Sequence, residues 1–162
     1  MTSVRPSPSG LSVAIPGADV LHLSHLLIDF NGTLAHDGQL IAGVAERLTA
    51  LNRLLEVEVL TGDTYGTVAR AMSGLPVRHT VVLSGADKTA RAKNLLNAGV
   101  AAIGNGRNDA DMLRTATLGV AVLGPECSHA LTLAAAQLVA PNILAALDLF
   151  LLPQRLIAGL RP

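Results

Sequence analysis

Apolar and polar positions follow two rhythms along the chain. VLHLSHLLIDF, VEVL, VVL, VAAI and TLGVAVLG hold short hydrophobic runs of strand length, and the segments between them carry apolar residues at every third or fourth position. LSVAI, PGAD and VLHLSHLLIDF read as strand, turn and strand, an N-terminal β-hairpin. Val44, Leu48, Leu51 and Leu55 give one apolar face to a helix over Gly43–Leu55, followed by the strand VEVL. Further helices are predicted over Tyr65–Ser73, Asp87–Asn97, Asp109–Ala116 and Ser128–Ala135, with a closing helix from Asn142. Further strands are predicted over Val81–Leu83, at VAAI, and over Leu118–Leu123 and Gln137–Val139, and Gly99 acts as a helix stop. Short apolar strands alternating with helices make an α/β protein, with a mainly parallel sheet covered on both faces and ligands held at the carboxyl ends of its strands.

Three polar loops stand at such ends. Asp29, Thr61 and Asn105 each follow a hydrophobic run and each sits in a glycine-containing loop, DFNGT, TGD or GNGRND. Taken singly, each loop is equally an ordinary turn, because Gly, Asn, Asp and Thr favour turns for backbone reasons.

Composition narrows the setting. Half of the 162 residues are apolar, enough for one buried core, so residues 11–162 are expected to form a single domain behind a Pro- and Ser-rich flexible leader over 1–10. Lys plus Arg and Asp plus Glu number 12 each, which gives no long-range attraction to nucleic acid or to an anionic membrane. Cys127 stands alone and cannot form an internal disulfide, and the N-terminus lacks a secretory pattern, so a cytoplasmic location is expected. The apolar tail is interrupted by Pro141, Asn142, Asp148, Pro153 and Arg155, short of the roughly 20 apolar residues of a membrane span.

In order, LLIDFNGTL, VEVLTGD, DKTARAKNLLNAG and VAAIGNGRNDADML resemble the four motifs of the haloacid dehalogenase-like phosphotransferases, most closely the phosphorylation domain of P-type ATPases. The similarity runs from about Leu26 to Leu149 and implies a Rossmann-like fold. It also implies a Mg2+-dependent phosphatase or phosphotransferase that acts on a small phosphorylated molecule through an aspartyl phosphate. Asp29 takes the place of the nucleophile, and an aspartate there splits phosphoryl transfer into two easier steps. Phosphate approach to a carboxylate needs a hard cation and a positive side chain, which the resemblance assigns to Mg2+ at Asp29, Asn31, Asn105 and Asp109 and to Lys88. Asn31, Gly32, Thr33, Thr61, Gly62 and Lys88 are the expected phosphate contacts, with the main-chain N–H groups of Asn31–Thr33 as donors. Asp63 and Asn108 are expected in support. Lys88 keeps the family's spacing to Gly99, and Lys93 competes for the same role.

Two departures bear on activity. Phosphatases of this group carry a second aspartate two residues after the nucleophile as general acid and base, and the amide of Asn31 can be neither. The chain is therefore expected to form an aspartyl phosphate from a good leaving group more readily than it hydrolyses one. Asn105 stands where the family usually has aspartate, which removes a negative charge from the metal site. The alternative function is a phosphate-binding or phosphorylatable regulatory protein with little turnover. A dinucleotide-binding reading of GNGRND lacks the G-x-G-x-x-G spacing.

Neither Leu34–Thr61 nor Thr64–Lys88 has room for a cap domain, so the resemblance implies a capless protein whose site is covered by a neighbouring subunit of a homo-oligomer. The remaining polar residues have plainer readings beside sharper ones. His22 and His25 are read as structural or surface residues rather than metal ligands, and Cys127 as packing. His36 and Asp37 either overhang the pocket or form an Asp-Gly turn, and Asp63 either completes the motif or caps the next helix.

Overall fold

The computed structural model describes residues 8–63 and 66–162. The strands are β1 (Leu11–Val13), β2 (Leu21–Leu23), β3 (His25–Asp29), β4 (Ala35–His36), β5 (Gln39–Leu40), β6 (Glu56–Thr61), β7 (Arg78–Val81), β8 (Val100–Gly104), β9 (Leu118–Val122) and β10 (Leu138–Ala140). The α-helices are α1 (Val44–Leu51), α2 (Thr67–Ala71), α3 (Gly85–Leu95), α4 (Ala110–Thr115), α5 (Ala130–Ala135), α6 (Ile143–Leu151) and α7 (Pro153–Leu160). Six strands form the central sheet in the order β10-β9-β8-β3-β6-β7, and every pairing in it is parallel. β1 and β2 form the antiparallel N-terminal hairpin.

The apolar run LLI explains the centre of this sheet. Leu26 and Ile28 face one layer with α1, α6 and α7, while Leu27 faces the other with α3, α4 and α5. A strand covered on both sides must be apolar at consecutive positions rather than alternate ones. Polarity returns only at its carboxyl end, at Asp29.

Several boundaries differ from those predicted. VLHLSHLLIDF is two strands divided at Ser24, because β2 pairs with β1 while β3 crosses into the central sheet. The strand predicted at Val81–Leu83 lies at Arg78–Val81 instead. It is an edge strand, and Leu83 is 91 % exposed rather than buried. The run VVL continues past the last pairing with β6 into the loop before α3, where the Ser84 and Asp87 capping box opens the helix. Tyr65 of the predicted second helix lies outside the described residues, and the helix there spans Thr67–Ala71. The closing helix is two, α6 and α7, bent by 103° where Pro153 begins the second. No single helix among the described residues is long and apolar enough to cross a membrane. Of the expected leader, residues 1–7 lie outside the described residues, while Gly10 donates to the Leu54 carbonyl at 3.1 Å and so joins the fold.

Candidate active site

At the carboxyl edge of the sheet, β3 ends in Asp29 and its neighbour β8 ends in Gly104. The turn after β8 folds Asp109 back beneath Gly104, where a Cβ would stand 2.6 Å from the Asp109 side chain, so only glycine fits. Asp109 is fully buried. Its Oδ2 accepts the N–H groups of Asn105 at 3.1 Å and Gly106 at 3.0 Å, and its Oδ1 accepts from Lys88 at 2.7 Å.

Lys88 comes from the first turns of α3 and is 1 % exposed. Its ammonium donates to Asp29 Oδ1 at 2.6 Å as well as to Asp109. Burial works against the charge on Lys88, but the two carboxylates outweigh it and hold the pKa above the ordinary lysine value. Burial also pushes the Asp29 carboxyl up, to about 6, with the Asp109 charge acting in the same direction and Lys88 and Thr33 opposing. Lys93, the competing lysine, lies exposed in the last turn of α3.

The expected site residues fall into two groups. Asp29, Thr33, Lys88, Asn105 and Asp109 share one hydrogen-bonded cluster, and the Thr33 hydroxyl lies 3.1 Å from both Asp29 Oδ2 and Asn105 Oδ1. Thr61 is buried at the end of the adjacent strand β6, where its hydroxyl oxygen accepts the Asp63 N–H at 3.1 Å. Accepting that bond leaves the hydroxyl proton of Thr61 to be donated to a ligand. Asn31, Gly62 and Asn108 are exposed around this cluster, and the Asn31 side chain has no hydrogen-bond partner among the described residues.

Some assignments change. The Gly32 N–H donates to Ala35 and the Thr33 N–H to Phe30, so the tight turn after β3 uses up two of the main-chain donors expected for phosphate. Asp109, expected beside Asp29 as a metal ligand, has one carboxylate oxygen on Lys88 and the other on the main-chain N–H groups of its own turn. Asp63 accepts the N–H of Val68 at 2.8 Å and thereby caps the start of α2. Cys127, read from sequence as a packing residue, is exposed, with a positive φ of 68°. His36 and Asp37 belong to the β4–β5 hairpin, with Asp37 and Gly38 at positive φ in its two-residue turn. Glu126, which no sequence pattern singles out, reaches this hairpin and accepts the Asp37 N–H at 3.0 Å.

The donor set fits a hard cation such as Mg2+. One Thr33 hydroxyl proton cannot serve Asp29 Oδ2 and Asn105 Oδ1 together, so one oxygen of the pair is always left wanting a positive partner. Both donors are oxygens, and no thiolate or imidazole joins them.

No protein-family model matches the chain. It is similar to the uncharacterized protein MJ0072 of Methanocaldococcus jannaschii, with 49 % identity over 39 residues, covering 24 % of this chain and 89 % of that protein. A second uncharacterized protein of that organism, MJ0073, is 42 % identical over 65 residues, covering 40 % of this chain and 70 % of the relative. Among solved structures, 3-deoxy-D-manno-octulosonate 8-phosphate phosphatase from Moraxella catarrhalis, in complex with magnesium ion, phosphate ion and KDO, superposes with a TM-score of 0.63 and 19 % identity, over 85 % of this chain and 90 % of that one. A zinc-transporting PIB-type ATPase matches with a TM-score of 0.62 and 26 % identity, over 74 % of this chain and 20 % of the transporter.

Proposed function

From the premise that this chain is a haloacid dehalogenase-like protein, of one family with the short Methanocaldococcus jannaschii protein, we propose that it is a Mg2+-dependent phosphatase or phosphotransferase. Its substrate is a small phosphorylated molecule, and the reaction runs through an aspartyl phosphate on Asp29. The observation that carries this reading is the buried Lys88 ammonium held between Asp29 and Asp109 at a sheet edge, at 2.6 and 2.7 Å.

In the first step an Asp29 oxygen attacks phosphorus, and the bond to the leaving oxygen breaks with its electron pair going to that oxygen. Lys88 orients the attacking carboxylate and keeps it ionised near neutral pH, while Asp109 fixes Lys88. Thr61 offers its hydroxyl proton to a phosphate oxygen. Asp29 and Asn105 would hold the cation, and when bound it would offset the charge of the incoming phosphate. Water then attacks the acyl phosphate, releasing phosphate and restoring Asp29. The amide of Asn31 neither protonates the leaving oxygen nor activates this water.

A second reading rests on that same residue. The Asn31 side chain is exposed and unpartnered among the described residues, which supports a phosphorylatable regulatory protein with little turnover. Val81 at 51 % and Leu83 at 91 % exposure stand on the strand and loop next to Thr61, and they support coverage of the site by a second copy of the chain. A screen of phosphorylated metabolites with and without Mg2+ tests the main reading, using Asp29→Asn as the control. Metal-dependent phosphate release that vanishes in the variant is the expected result. Release that survives in Asp29→Asn, or neither release nor covalent labelling of the wild type by an acyl phosphate, would overturn it.

A further inference from the structure

The site is short of negative charge for a divalent cation. Asp29 and Asp109 carry one charge each, Lys88 cancels one, and Asn31 and Asn105 are neutral. The amide of Asn105 has a use of its own, however. Its Nδ2 donates to the Cys127 carbonyl at 3.0 Å, a bond that an ionised aspartate cannot make. Its main-chain carbonyl accepts the N–H of His129 at 2.9 Å. Asn105 therefore ties the loop after β9 to the turn after β8.

That loop carries Glu126. Its Oε1 accepts the Asp37 N–H at 3.0 Å and lies 3.4 Å from His36 Nδ1. Its Oε2 has no hydrogen-bond partner among the described residues and lies against Gly32. A Cβ at Gly32 would stand 3.1 Å from Glu126 Oε2 and 2.6 Å from Asn105 Nδ2, so the missing side chain leaves open the space between the carboxylate and the amide. One oxygen is thus tethered, and the other faces the Gly32 turn on the amide-nitrogen side of Asn105, whose Oδ1 belongs to the proposed cation site.

We propose that Glu126 supplies to the cation site the carboxylate that Asn105 lacks, through Oε2, and that the Asn105–Cys127 hydrogen bond is the positioning link that brings it there. The charge has moved from the turn after β8 to the loop after β9, and the amide left behind anchors the replacement. This inference rests on the Mg2+-dependent reading of the site.

Calorimetric titration with Mg2+, together with Mn2+ electron paramagnetic resonance, tests it on the full chain without any substrate. Glu126→Gln keeps an oxygen for the Asp37 N–H but removes the charge, and it should weaken binding of both ions by about tenfold or more. Its unfolding temperature in metal-free buffer should match the wild type. Glu126→Asp, with the charge on a shorter stem, should fall between the two. Adding Asn105→Asp to Glu126→Gln should recover most of the lost affinity, since a carboxylate returns to position 105. Wild-type affinity in Glu126→Gln, alongside lost affinity in Asp29→Asn, would overturn this inference and leave the phosphotransfer reading standing. Failure of the double variant to regain affinity would reduce Glu126 to a structural role. A wild type that binds neither ion would overturn the Mg2+-dependent reading itself.

Discussion

Lys88 Nζ donates to Asp29 Oδ1 at 2.6 Å, tying the start of α3 to the end of β3 in a place where neither side chain meets much solvent. Removing the ammonium leaves the Asp29 and Asp109 carboxylates buried together without a counter-charge. Lys88→Ala should therefore lose about 3–5 kcal/mol of stability at neutral pH as well as its activity. Lys93→Ala, on an exposed turn, should lose neither. Urea unfolding and phosphate release on the two variants check this, and a larger loss in Lys93→Ala would reverse the assignment.

At position 31 the prediction is a gain. Aryl and acyl phosphates should be cleaved faster than alkyl monoesters, because a leaving group of low pKa needs no proton. Asn31→Asp should then speed the alkyl esters, by less than the about 10²–10⁴-fold typical of general acid–base catalysis, since nothing near this exposed position tunes the new carboxyl. Steady-state rates at saturating Mg2+ decide it, and an unchanged or lower rate on alkyl esters would favour the regulatory reading.

Away from the site, Arg47 on α1 grips Asp148 on α6 through Nε at 2.7 Å and Nη2 at 3.2 Å. The Arg47 hydrogen bonds hold the Asp148 carboxyl below the usual carboxylate range, against a smaller opposing effect of burial. A depressed folded-state pKa stabilises the protein above the unfolded value of about 4, and that stability is lost as pH falls through the folded pKa. Asp148→Asn should cost about 1–2 kcal/mol at pH 7, a cost that shrinks in acid as the carboxylate is protonated. Denaturation midpoints from neutral to acid pH would show it, and a cost independent of pH would point to packing rather than charge.

The exposed apolar pair Val81 and Leu83 leads to a fourth expectation, a homo-oligomer. Light scattering should give a mass that is a multiple of the 16.7 kDa chain, and Leu83→Asp should lower it. A mass near that of one chain at every concentration would refute this.

The parallel sheet and the order of its motifs were legible because each site loop directly follows an apolar run long enough to be a buried strand. β7 was misplaced because it is an edge strand with little apolar signal of its own, so the half-buried Val82 and exposed Leu83 of the VVL run drew the prediction toward the loop. The roles of Gly32, Thr33 and Asp109 depend on which hydrogen bonds are already made inside the turns, and residue type does not reveal that. Glu126 left no mark in the sequence at all. Its neighbour Cys127 is tied to Asn105 through a main-chain carbonyl, and neither the glutamate nor the cysteine belongs to any motif.

The strand bearing Asp29 is flanked on both sides by strands that come later in the chain, β6 and β8. During synthesis the carboxylate would emerge well before the lysine that orients it and the turn that buries it. Pairing β3 with β8 closes a long stretch of chain and so belongs among the slower steps of folding. A ribosome-bound chain that ends before Gly104 has the proposed nucleophile without Asp109, so under the proposed mechanism it could accept a phosphoryl group only once the second half of the protein had been made.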